Sequence, residues 1–189
     1  MNARAGLDRK KIVQAAAALA DEDGLNTLSM AALASRLGVR APTLYHYFDG
    51  LNGLKSALSI AALEDLSARL GRAVMGKAGD EAVLSLAHSL RSFAHEHPGL
   101  YDAVQRAPDD ADPAWQAAGQ ETVEIMVRAL SAYELTQDDA LHAVRMLRSI
   151  VHGFVSLELH GGFGLPLDVD ETFRRLLAAL LAYLHGTDR

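Results

Sequence analysis

The chain has 189 residues, half of them hydrophobic, with five prolines, no cysteine and a formal net charge of −6. That apolar content supports a buried core and excludes wholesale disorder, while the missing cysteine excludes disulfides, thiolate metal sites and thiol redox sensing. The acidic balance excludes a uniformly basic polyanion binder, yet the charge is uneven: residues 1–55 carry seven Lys/Arg against five Asp/Glu, net +2, and the rest carries −8.

The first predicted helix runs from an Asp8 cap to Glu22 or Asp23. Ile12, Val13, Ala16, Leu19 and Ala20 recur at helical spacing, and Gly24 offers a left-handed stop. Ser29 caps a short second helix in which Leu33 and Leu37 fall four apart, and Gly38 breaks it. A third helix starts in "GVRAPTLYHYF", where Pro42 fits the first turn because its missing N–H is not needed there. At about 100° per residue Leu44 and Phe48 face inward. Pro42, Thr43 and His46 then face out, flanked by Tyr45 and Tyr47.

A long helix is predicted to about Val74, followed by one over Glu81–Glu96 and a short turn of helix around Leu100–Val104. "RAPDDADP" reads as an exposed acidic loop. Two further helices are expected over Pro113–Tyr133 and Gln137–His160, and a last one, capped by Asp168 or Asp170, ends near His185. The final two carry apolar stripes too wide for one buried face, so they are either central to a core or shared with a partner chain. The expected class is all-α, with about nine helices.

Two short helices joined at a glycine, the second presenting aromatic and polar groups outward, fit either a helix-turn-helix or an ordinary helical hairpin. The stretch "LSMAALASRLGVRAPTLYHYFDGLNGL", preceded by "RKKIVQAAAALADEDGLNT", resembles the DNA-binding head of the TetR family of bacterial repressors, most specifically in "PTLYHYF". "VHGFVSLELHGGFGLPLDVDETFRRLLAALL" resembles the end of a TetR-type C-terminal domain marked by a His-Gly pair, here His152-Gly153.

The resemblance implies a three-helix head over residues 1–52 and a larger body over 53–189 that binds an effector and dimerises. In the head, Ser29 would cap the second helix near a phosphate. Thr43, Tyr45 and Tyr47 would contact phosphates or bases, and Arg40, Ala41 and Pro42 would face base edges, with His46 on the same surface. Arg40 is the candidate for guanine readout. Leu51 stands where many relatives place a phosphate-binding lysine.

In the body, the resemblance implies a homodimer through the last two long helices, and Leu147, Val151, Val155, Phe173, Leu177, Leu180 and Leu184 are the expected interface. Phe93, His97, Tyr101, Trp115, Met126, Met146, His152 and Phe154 could line an effector cavity or be plain core.

Other chemistry finds little support. His95 and His97 lie about 200° apart on a helix and cannot easily share a metal ion, and "GGFG" follows a helix and lacks a following Gly-Lys-Ser/Thr. No nucleophile elbow or helical His-Glu-x-x-His occurs, so no enzyme, catalytic residue, metal or cofactor is expected. No segment is apolar enough to span a membrane and the polar start leads into no secretory core, so the expected compartment is the cytoplasm. The expected function is a DNA-binding regulator, a repressor released from a palindromic operator by a small molecule. The alternative is a helical protein-interaction module with a degenerate helix-turn-helix.

Overall fold

The computed structural model describes residues 6–105 and 111–186, and all regular structure among them is helical. Most of the expected acidic loop, residues 106–110, lies outside the described residues.

Helix α1 spans Arg9–Asp23; the Asp8 carboxylate accepts from the Lys11 N–H at 2.7 Å. Gly24, at φ +90°, ends it with its N–H on the Ala20 carbonyl. Helix α2 spans Met30–Arg36, where the Ser29 hydroxyl accepts from the Ala32 N–H at 3.2 Å. Gly38 at φ +65° then reverses the chain, a backbone conformation that favours glycine.

Helix α3 is shorter than the sequence suggests, Ala41–Leu44. The reason is a change of hydrogen-bond register: His46 and Tyr47 bond back three residues, to Thr43 and Leu44, and the chain passes through turns to Phe48. Leu44 and Phe48 still face inward, 0 % and 3 % exposed. Helix α4 spans Gly50–Val74, α5 Gly79–Glu96 and α6 Pro98–Val104. Helix α7 spans Pro113–Ala129, a 3-10 turn covers Ser131–Tyr133, and α8 (Gln137–Leu159) and α9 (Val169–Gly186) complete the order. Asp168 caps α9 through the Asp170 and Glu171 N–H groups.

The chain forms two compact units. One contains residues 1–65 and 96–119, the other 66–95 and 120–189. The core of the first joins Ile12, Ala16, Leu33, Leu44, Phe48, Leu54 and Leu58 with Ala103 of α6. Asp21 of α1 holds α6 in place: its carboxylate accepts from the Gly99 and Leu100 N–H groups and lies 2.9 Å from His97 Nδ1.

In the second unit, Phe93, Met126, Leu147, Phe173 and Leu177 are fully buried, and the Ser67 and Thr122 hydroxyls bond each other at 2.7 Å inside. Arg91 ties three helices together. Its guanidinium makes a two-pronged contact with Glu158 at 2.6 and 2.9 Å and reaches Asp170 at 2.7 Å. It also lies 4.8 and 5.2 Å from the Phe173 and Phe154 ring centres. Among the described residues no helix is long and apolar enough to cross a membrane.

Candidate nucleic-acid interface

Two anchors and a glycine turn shape the surface. Buried Leu44 and Phe48 fix the inner side of the α3 segment, while Gly38 lets the chain turn sharply before it. Arg40 is the residue before the helix, in extended backbone, and its side chain makes no cap hydrogen bond. Arg40, Pro42, Tyr45 and His46 are exposed, Tyr45 at 58 %. Together they form a surface that starts with a guanidinium and continues with aromatic and imidazole groups, suited to base edges and phosphates.

The other expected contacts are set differently. Ala41 and Thr43 are half-buried behind this front, and Ser29 is half-buried with its hydroxyl spent on the α2 cap. Tyr47 is half-buried too, and its hydroxyl donates to the Leu7 carbonyl at 3.0 Å. Leu51 packs against the core of this unit.

Sequence reasoning missed the device that steadies the recognition segment. Arg9 donates from Nη1 to the Tyr47 carbonyl at 2.6 Å, and its guanidinium lies 4.4 Å from the Phe48 ring centre. The chain entering α1 thus holds the end of the α3 turn from two sides, through Leu7 before the helix and Arg9 at its start. The only sequence signal was the basic run Arg9-Lys10-Lys11.

The eight expected effector residues are divided between the two units. Phe93, Met126 and Phe154 are buried in the second unit, with Met146 half-buried and His152 exposed there. His97, Tyr101 and Trp115 belong to the first unit. His97 is engaged with Asp21 and Tyr101 is buried, whereas Trp115 lines a groove of about 560 Å³ with Asn52, Lys55 and Asp112. The Trp115 indole N–H is buried without a hydrogen-bond partner among the described residues.

The expected interface needs correction. Leu147, Val151, Val155, Phe173, Leu177, Leu180 and Leu184 are each 2 % exposed or less within the single chain, so they have no surface left to give a partner. The large exposed apolar residues of α8 and α9 are Leu157, Leu159, Leu176 and Tyr183, with the exposed His152-Gly153 pair on α8.

An all-helical chain that opens with a helix-turn-helix and an outward-facing second helix defines a DNA-binding regulator. Residues 12–58 match the family described as bacterial regulatory proteins, tetR family, and residues 83–180 match the tetracyclin repressor-like C-terminal domain. The chain belongs to the TetR family of transcriptional regulators. It is 37% identical to the HTH-type transcriptional regulator Rv0681 of Mycobacterium tuberculosis over 94% of this chain and 82% of that one. It is 35% identical to the HTH-type transcriptional regulator YobS of Bacillus subtilis over 96% of both. In fold it is similar to the crystal structure of TetR-Q116A from Acinetobacter baumannii AYE in complex with minocycline. The TM-score is 0.74 at 24% identity, covering 97% of this chain and 99% of that one.

Proposed function

We propose that this regulator is a cytoplasmic repressor that binds a short palindromic operator as a homodimer and leaves it when a small molecule binds. The division of labour is a DNA-contacting head over residues 1–52 and an effector-binding and dimerising body over 53–189. The observation that carries the DNA reading is the exposed Arg40–Pro42–Tyr45–His46 surface on a segment anchored by buried Leu44 and Phe48.

Support for a dimer comes from the apolar face that α8 and α9 keep exposed in the single chain, with Leu157, Leu176 and Tyr183. Two recognition helices related by a two-fold axis would meet half-sites about one DNA turn, roughly 34–36 Å, apart. Release by an effector requires reciprocity: DNA must weaken effector binding by the factor by which effector weakens DNA binding.

The test is selection of a random duplex pool on the purified protein, followed by a salt titration on the enriched sequence. An enriched palindrome whose affinity falls steeply with salt is the expected result. A well-folded dimer that enriches nothing would overturn the reading.

A further inference from the structure

The first unit carries an open groove of about 1050 Å³ between α1 and α4, mostly apolar and at the upper end of the size of small-molecule sites. Half-buried Val13, Ala17, Ala57 and Ala61 line it with small, mainly methyl groups. Its polar lining comprises Arg9, Lys10 and Gln14 of α1, Glu64 and Asp65 of α4, and His97, which is engaged with Asp21. Arg9 and Lys10 line it at the start of α1, and Arg9 is fixed beside Tyr47, just before α4 begins. The acids Glu64 and Asp65 also line it, and Glu64 lies about 10 Å along α4 from Ala57, where the α4 lining begins. The Lys10 side chain has no hydrogen-bond or ion-pair partner among the described residues.

We propose that this groove binds amphipathic organic anions, with the acid paired to Lys10 and Arg9 and the apolar tail lying over Val13, Ala17, Ala57 and Ala61. Apolar contact supplies the affinity and the two cations fix which end enters where. Lys10 to Ala17 spans about 10 Å of helix, the length of a medium-chain acyl tail.

The site would report to DNA through Arg9. An anion that draws the guanidinium toward itself competes with the Tyr47 carbonyl and with the Phe48 ring, the two contacts that steady the recognition turn. This consequence rests on the head being the DNA-binding element. It differs from effector binding in the second unit because every residue involved belongs to the first.

Decanoate is the probe. Titrated into the ¹⁵N-labelled full chain, it should shift the amide resonances of Val13, Ala17, Ala57 and Ala61 at one site per chain. Lys10→Glu should weaken decanoate about five- to tenfold, the scale of losing and reversing an exposed ion pair, and leave decanol binding unchanged. Ala61→Trp should fill the groove and abolish both. Saturating decanoate should lower operator affinity in the wild-type protein and have no effect in Ala61→Trp.

Shifts confined to other residues, equal losses for decanoate and decanol in Lys10→Glu, or no binding at all would overturn the proposal. So would groove shifts that grow with protein concentration before any ligand is added, because the occupant would then be a second copy. Operator affinity without decanoate is measured in parallel, so a head that never binds DNA is told apart from a groove that never fills.

Discussion

Arg40 is proposed for recognition because of what it does not do. A residue in its place commonly spends its side chain on capping the helix that follows, whereas Arg40 caps nothing and is exposed at the turn leading into α3. Its guanidinium is therefore free to meet a base edge, and a two-pronged contact to guanine contributes about 1–3 kcal/mol of discrimination. Arg40→Ala should relax preference at one base pair in each half-site of a randomised operator library while leaving the melting temperature unchanged; full retention of that preference would remove Arg40 from the readout. Arg9 should behave in the opposite way. Its bond to the Tyr47 carbonyl and its place over Phe48 position the recognition turn as a whole. Arg9→Ala should weaken all operator sequences alike and cost about 1 kcal/mol of stability by chemical denaturation.

Among the elements, α6 depends on a single missing side chain. A Cβ added at Gly99 would come within 2.2 Å of the Ala20 backbone, so α6 could not keep its seat on α1 or its bonds to Asp21. Gly99→Ala should cost about 1–3 kcal/mol or more. Gly71, inside α4 with nothing within 4 Å of an added Cβ, is the control, and Gly71→Ala should stabilise by up to about 1 kcal/mol. The tie between α5, α8 and α9 has its own signature, in pH. Burial pushes the Glu158 carboxyl up, but hydrogen bonds from Arg91 and His95 outweigh it and hold the group below its ordinary value. A depressed carboxylate stabilises fully above its unfolded value, near pH 4.5, and loses that contribution as pH falls through the lower folded value. Denaturation midpoints should therefore fall as pH drops below about 4.5, and Glu158→Gln should flatten that limb.

These elements also mark how far the sequence could be read. The Asp8 and Ser29 caps, the Gly24 and Gly38 stops and the Pro42 start are local signals, decided within a turn of chain, and each appears where the pattern placed it. The contacts that assemble the site are not local: Arg9 meets Tyr47 across 38 positions and His97 meets Asp21 across 76. Nothing in the spacing points to either. The α9 stripe shows the same boundary. Periodicity finds Leu176, Leu177 and Leu180 as one broad band, but adjacent residues point only about 100° apart. Only packing decides that Leu177 and Leu180 are sealed inside while Leu176 stays 38 % exposed.

At the scale of the whole molecule that distinction separates folding from assembly. Leu180 is 2 % exposed, so Leu180→Glu buries an unpaired charge and should unfold the chain, whatever its oligomeric state. Leu176 and Tyr183 are seven residues apart on the open side of α9, and Gly153 is exposed on α8 with nothing within 4 Å of an added Cβ. Leu176→Glu with Gly153→Glu should therefore leave helicity and melting intact in a single chain. If two copies meet on this face, the same change places unpaired charges in their interface, and sedimentation should show a folded monomer where the wild-type protein is a dimer. The operator then sees one recognition helix in place of two. Because each neutralised phosphate releases counterions, the slope of log affinity against log salt should fall to about half, and preference for a palindrome over a single half-site should vanish. A variant that stays dimeric and keeps both the slope and the palindrome preference would move the two-fold contact away from α8 and α9. Loss of the dimer with an unchanged slope would mean that the chain reads its operator as a monomer.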